Sequence, residues 1–141
     1  MKPEDRNLKI IRAEKNNVDT ILKWDKHISK QELQNLIQLN RVYISEQDNQ
    51  FIGWLRYNLF WDNTPFMNML YILEEFRGKG YGKSLVEFWE TEMKNSGYDI
   101  VMTSTASNEY SQHFYNKLGY KTIGGFILTP DPYEIMLSKK L

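Results

Sequence analysis

The chain of 141 residues contains no cysteine. That removes disulfides, thiolate metal ligands and a cysteine nucleophile from consideration. Histidine is almost as scarce: His27 and His113 stand far apart in sequence. Ligands for metal hydrolase chemistry are therefore few, and no metal is expected. There is no charge of one sign in excess, because 18 Lys and Arg balance 18 Asp and Glu. No run of basic residues occurs either, which speaks against nucleic acid as a partner. Nowhere do the ~18 consecutive apolar residues of a membrane span appear. The opening MKPEDRNLKI lacks the apolar stretch of a secretory signal. A cytoplasmic protein without membrane attachment is the expectation. Repeats, low-complexity tracts and linkers are missing too, so residues 1–141 read as one domain.

Hydrophobic residues supply 41% of the chain and aromatics 14%, enough for a core with rings to spare for a binding surface. Leu8–Ala13 reads as a first strand. Val18, Ile21, Leu22 and Trp24 recur at near-helical spacing. Ser29 and Glu32 have the spacing of a capping box, so a second helix starts there, with Leu33, Leu36 and Ile37 as its apolar stripe. Arg41–Glu46 and Phe51–Phe60 read as a hairpin about the turn Gln47-Asp48-Asn49-Gln50. After a second turn, Asp62-Asn63-Thr64-Pro65, comes Phe66–Leu73, apolar enough for a strand covered on both faces.

A glycine-rich loop, Arg77–Gly82, then feeds a helix that runs to about Asn95, with Leu85, Phe88, Trp89 and Met93 on one face. Gly97 suits a left-handed helix end. Tyr98–Thr105 reads as a strand, Asn108–Leu118 as a helix stopped by Gly119, and Lys121–Leu128 and Tyr133–Ser138 as two closing strands. The turn Thr129-Pro130-Asp131-Pro132 parts that last pair. The fold class is α/β with a mixed sheet.

The loop has the physical character of an anion site. The first amides of a helix lack internal partners, and the helix dipole favours negative charge there. Gly78, Gly80 and Gly82 let a phosphate approach the backbone, while Arg77, Lys79 and Lys83 add positive charge. A P-loop would need glycine at position 77, which is Arg. A dinucleotide fingerprint would need glycine at position 83, which is Lys. The pattern Arg/Gln-x-x-Gly-x-Gly/Ala fits at Arg77, Gly80 and Gly82, and there the chain resembles the GNAT superfamily of N-acetyltransferases. Asn108-x-x-Ser111-x-x-Phe114-Tyr115-x-Lys117-Leu118-Gly119-Tyr120 is similar to that family's second motif. The order of elements also matches over nearly the whole chain.

The resemblance implies a central, mostly antiparallel twisted sheet of about six to seven strands flanked by about four helices. It implies acetyl-CoA as co-substrate, with no metal, and an amine acceptor: a small molecule, a peptide N-terminus or a lysine. Ile72, Arg77, Gly78, Lys79, Gly80, Tyr81, Gly82 and Lys83 would hold the cofactor, and Asn108 would bond its pantetheine arm. Helical geometry alone, at ~100° per residue, turns Asn108 and Tyr115 the same way, and leaves Phe114 and Leu118 to the core. By resemblance Tyr115 is the general acid toward the departing thiolate. Attack would be direct, in a ternary complex, with a backbone N–H near Ile72–Leu73 polarising the carbonyl.

In some relatives a Glu stands five residues before the motif Asn; here that position is Thr103. Glu74, Glu75 and Asp62 remain as bases, Glu74 first, beside a relay through water. An aromatic stretch, Tyr57–Phe66, with Trp24, Asp25 and His27, is expected to border the acceptor. The alternative to an enzyme is an acetyl-CoA-binding sensor of the same fold. Monomer and homodimer both stay open.

Overall fold

A computed structural model of the chain describes residues 8–128 and 132–141. Along them run β1 (Leu8–Arg12), α1 (Val18–Leu22), α2 (Lys30–Gln38), β2 (Val42–Gln47), β3 (Gln50–Phe60), β4 (Thr64–Ile72), α3 (Tyr81–Asn95), β5 (Ile100–Ala106), α4 (Ser111–Lys117), β6 (Lys121–Phe126) and β7 (Glu134–Lys140). The strands take the hydrogen-bonded order β1-β2-β3-β4-β5-β7-β6. β1–β2, β2–β3, β5–β7 and β6–β7 pair antiparallel, whereas β4–β5 pairs parallel. A mixed sheet of seven strands with four helices is thus what the described residues form, as the sequence led one to expect. The Thr129-Pro130-Asp131 part of the last expected turn lies outside the described residues. Among those residues no helix is long and apolar enough to cross a membrane.

Packing divides the chain into two units, Met1–Asn58 with Met69–Phe88, and Leu59–Asn68 with Trp89–Leu141. In the first, Ala13, Val18, Ile21, Leu33, Leu36, Ile37, Val42, Ile44 and Trp54 form a buried cluster. α2 reaches it because its apolar residues share one face and its start is capped: Ser29 Oγ accepts from the Glu32 amide at 3.1 Å. The β2–β3 hairpin turns through Asp48 and Asn49, at φ 53° and 64°. Asp and Asn tolerate that left-handed pair better than most residues, which fixes the register Gln47↔Gln50.

In the second unit β5 pairs with β7 from Ile100↔Lys140 to Ala106↔Glu134. α3 stops at Gly97, whose φ is 95°. The Gly97 amide there bonds Lys94 O at 3.0 Å and the Tyr98 amide bonds Met93 O at 3.1 Å, the Schellman arrangement. α4 ends in the same way at Gly119, with the Tyr120 amide on Tyr115 O at 3.0 Å. Glu90 is buried beside it, accepting from Tyr120 Oη at 2.8 Å and from Lys139 Nζ at 2.9 Å.

Three expectations need correction. β4 is not covered on both faces: Pro65 and Met67 are buried, Asn68 is exposed, and Met69–Ile72 are half-buried. Its parallel ladder with β5 consists of Phe66↔Met102 and Met67↔Thr103, so the later residues fall past that ladder. Helix α4 starts at Ser111 rather than Asn108, because the preceding backbone is bonded elsewhere. The Ser107 amide goes to Tyr133 O at 2.8 Å and the Glu109 amide to Ala106 O at 3.0 Å. Asn108 therefore sits in an exposed turn, and helical spacing does not align it with Tyr115. Finally, the buried residue of α4 is Tyr115, while Phe114 and Leu118 are only half-buried.

Candidate active site

Past Ile72 the chain makes one tight turn, Glu74–Phe76, before the glycines. Glu74 and Glu75 are exposed there. Leu73 is buried, and its amide donates to Ile52 O at 2.8 Å. That amide is spent on β3, which removes it as a carbonyl-polarising donor. Successive amides along a strand point to opposite edges, so the Ile72 amide lies on the edge away from β3.

Arg77 folds back on the strand end. Its Nε donates to Ile72 O at 2.8 Å, and its guanidinium stands 5.0 Å from the Tyr71 ring centroid. Gly78 and Gly80 follow at φ 78° and 88°, and a Cβ on either would meet nothing within 4 Å. Positive φ, not crowding, is what requires glycine here. Residues 77–80 are exposed, and the first helical bond is Ser84 N–H to Gly80 O at 3.1 Å. The amides of Gly82 and Lys83 thus open α3 ahead of its first intrahelical bond. Tyr81 itself is buried, its phenol donating to Gln47 Oε1 at 2.6 Å, so its side chain anchors the helix start. Lys83 is exposed and 3.8 Å from Glu87. Positive side chains, helix-start amides and open space together suit a polyanion.

The second unit holds a different group. Tyr115 is 7% exposed, with its ring edge-on to Phe114 and Tyr120. Burial pushes its phenol up to about 12; a hydrogen bond with the Thr103 hydroxyl pulls the other way, and the Glu109 carboxylate adds to the rise. It is therefore protonated throughout the physiological range. Thr103 Oγ1 donates to Met67 O at 2.9 Å, and Thr105 Oγ1 to Glu109 Oε2 at 3.3 Å. Sequence reasoning missed Glu109, the neighbour of Asn108; only the turn before α4 brings it near the phenol. His113 is exposed.

The structure thus gathers Ile72, Arg77 and the loop within the first unit, and Thr103, Glu109 and Tyr115 within the second. Of the acceptor candidates, Asp25 is withdrawn by a buried ion pair with Arg56. Trp24 and His27 are exposed. At the β3–β4 turn Trp61 is 81% exposed, and Phe60 stacks on Phe66 with ring centroids 5.9 Å apart. Asp62 beside them has φ 63°.

The sequence profile of the acetyltransferase (GNAT) family matches residues 10–120, a stretch that contains the loop, Asn108 and Tyr115. The chain belongs to the GNAT acetyltransferase family. An uncharacterised N-acetyltransferase of Chlorobaculum tepidum is 28% identical over 95 residues, which are 67% of this chain and 59% of that protein. The chain thus matches somewhat over half the length of that relative. The crystal structure of Ard1 from Thermoplasma volcanium has a TM-score of 0.83 at 10% identity, over 96% of this chain and 98% of the other. The PaiA N-acetyltransferase of Thermoplasma acidophilum, in complex with coenzyme A, has a TM-score of 0.79 at 20% identity, over 95% and 99%. At such identities the likeness is one of GNAT fold.

Proposed function

We propose that the chain moves an acetyl group from acetyl-CoA to an amine. The observation that carries this reading is the start of α3, where helix-start amides and open, positive-φ glycines lie among Arg77, Lys79 and Lys83. In this reading the amides of residues 78–83 hold the diphosphate, because helix-start amides and lysines stabilise negative charge together. Coenzyme A in the Thermoplasma acidophilum relative supports the choice of cofactor.

The Ile72 amide, facing away from β3 beyond the β4–β5 ladder, polarises the thioester carbonyl. Asn108 bonds the pantetheine arm. In the reaction the amine nitrogen bonds to the acetyl carbon, the carbon–sulfur bond breaks, and the sulfur takes a proton. Tyr115 supplies that proton, being a buried phenol that keeps it at neutral pH. The amine's own proton leaves to Glu74 or through water. Direct attack is favoured because no cysteine exists to carry the acetyl group. Exposed rings at the β3–β4 turn, with Asp62, are the candidates to meet the amine cation.

A non-catalytic acetyl-CoA sensor is the second reading. It is favoured by Thr103, which stands where some relatives carry a base and is buried on Met67 O. Both are tested by calorimetric titration with acetyl-CoA and by thiol release against a panel of amines. Binding with turnover supports the enzyme, binding without turnover the sensor, and no binding sinks both. Tyr115→Phe is expected to keep acetyl-CoA affinity and lose turnover.

A further inference from the structure

Residues 77–80 of the glycine loop are exposed, and a Cβ on Gly78 or Gly80 would meet nothing within 4 Å. Packing at the glycines therefore does not set where the loop sits. Tyr81, which opens α3, is different. It is 2% exposed, and its ring meets that of Phe76 edge-on, with centroids 6.3 Å apart. The two rings bracket the loop, one before it and one after. The Tyr81 phenol then donates to Gln47 Oε1 at 2.6 Å, across 34 residues of chain.

Gln47 is the last residue of β2, and the Asp48-Asn49 turn fixes it opposite Gln50. Alternation along a strand puts Gln47 and Tyr43 on one face of β2. Tyr43 meets Phe88 of α3 edge-on, at 5.6 Å between ring centroids. α3 is thus pegged to β2 at Tyr81 and again, two turns later, at Phe88. The spans agree, since seven helical residues cover roughly 10 Å and four strand residues roughly 13 Å. The ring contact leaves the helix free to adjust, whereas a phenol O–H must point at its acceptor.

We propose that Gln47 is the positioning residue of the diphosphate loop. By holding the Tyr81 phenol, it sets where the first amides of α3 point, and so how well they meet the diphosphate of acetyl-CoA. This rests on the reading of that loop as the cofactor's anion site. The pantetheine arm and the thioester carry no negative charge, so the effect belongs to the nucleotide half of the donor.

The test compares acetyl-CoA with S-acetylpantetheine, which lacks the nucleotide and its diphosphate. The readouts are calorimetric titration of both donors and thiol release with the amine turned over in the screen above. Titration needs no turnover and serves the sensor reading equally. Gln47→Leu removes the acceptor, and Tyr81→Phe removes the donor. Each should weaken acetyl-CoA binding and raise its KM by roughly 5- to 20-fold, with kcat kept within about twofold. For S-acetylpantetheine, kcat/KM should stay within about twofold of the parent protein's. The double variant should bind acetyl-CoA no worse than either single one, because the pair acts as a unit. Gln47→Leu strips the buried phenol of this acceptor, whereas the double variant removes the phenol as well. Urea unfolding should therefore show the double variant at least as stable as Gln47→Leu, with acetyl-CoA still weakened. Unchanged acetyl-CoA affinity, or an equal loss for both donors, overturns the role of Gln47 while leaving the loop reading standing. A parent protein that takes S-acetylpantetheine as well as acetyl-CoA overturns the loop reading, and this proposal with it. Should Gln47→Leu not fold, Tyr81→Phe carries the same comparison.

Discussion

Arg56 Nε lies 2.8 Å from Asp25 Oδ2, and both side chains are almost wholly out of water. Asp25 Oδ2 also accepts from Trp54 Nε1 at 3.1 Å, and Oδ1 from the His27 amide at 3.1 Å. The carboxylate is therefore saturated, tying the loop after α1 to β3. Removing it by Asp25→Ala strands a buried guanidinium and an indole N–H. The expected loss is about 3–5 kcal/mol, the usual result of breaking one side of a buried pair. Urea unfolding measures it. A loss below about 1 kcal/mol would show that Arg56 finds water instead.

Two glycines should fail for opposite reasons. A Cβ at Gly53 would stand 2.2 Å from Tyr71 O and 2.8 Å from Ile72 Cδ1. The carbonyl belongs to backbone and cannot swing aside, so Gly53→Ala forces β3 from β4. The expected cost is at or above the upper end of the roughly 1–3 kcal/mol typical of overpacking. At Gly80 an alanine meets nothing, but φ is 88°. Gly80→Ala should cost about 1–2 kcal/mol in backbone strain, and relaxation of the loop should weaken acetyl-CoA by about tenfold. Unchanged affinity in a folded Gly80→Ala protein would argue against phosphate held by that turn.

Arg77 offers a sharper division between stability and binding. It is exposed, so Arg77→Ala should alter unfolding by no more than about 0.5 kcal/mol. If its guanidinium leaves Ile72 O for a phosphate, acetyl-CoA affinity should fall several-fold and depend less on salt. Titration at two ionic strengths checks both expectations.

What the sequence disclosed followed from local chemistry. Ser29 with Glu32 marked the start of α2, Gly97 and Gly119 marked helix ends, and Asp48-Asn49 marked a hairpin. Each feature depends on residues close in sequence, so spacing alone carried it. The GNAT family was legible in the same way, through Arg77, Gly80 and Gly82 with the motif around Tyr115. Less legible were features set by distant partners. Nothing near Asp25 announces Arg56, and nothing in the run Phe66–Leu73 says that its ladder with β5 ends at Met67. The start of α4 was misplaced because Ser107 is bonded to Tyr133, far along the chain. Thr103 reads in sequence as the place of a missing base, and only the fold shows its hydroxyl donating to Met67 O.

The buried phenol of Tyr115 should make itself felt in alkali. Its folded pKa, pushed to about 12, lies above the value near 10 of an unfolded tyrosine. Between those values the unfolded chain releases this proton and the folded chain keeps it. The unfolded state then binds fewer protons, so stability falls as pH rises. The contribution is fully present below pH ~10 and is lost progressively toward pH ~12, on the order of 2 kcal/mol in all. Tyr120 is also pushed up, by burial first and then by Glu90, and adds an alkaline loss of the same sign. Tyr115→Phe keeps the Tyr120 share and removes the other. Unfolding free energies of the two proteins should therefore converge, or the variant overtake, as pH rises from 10 to 12. Parallel curves across that window would mean that Tyr115 ionises no later in the folded protein than in the unfolded chain.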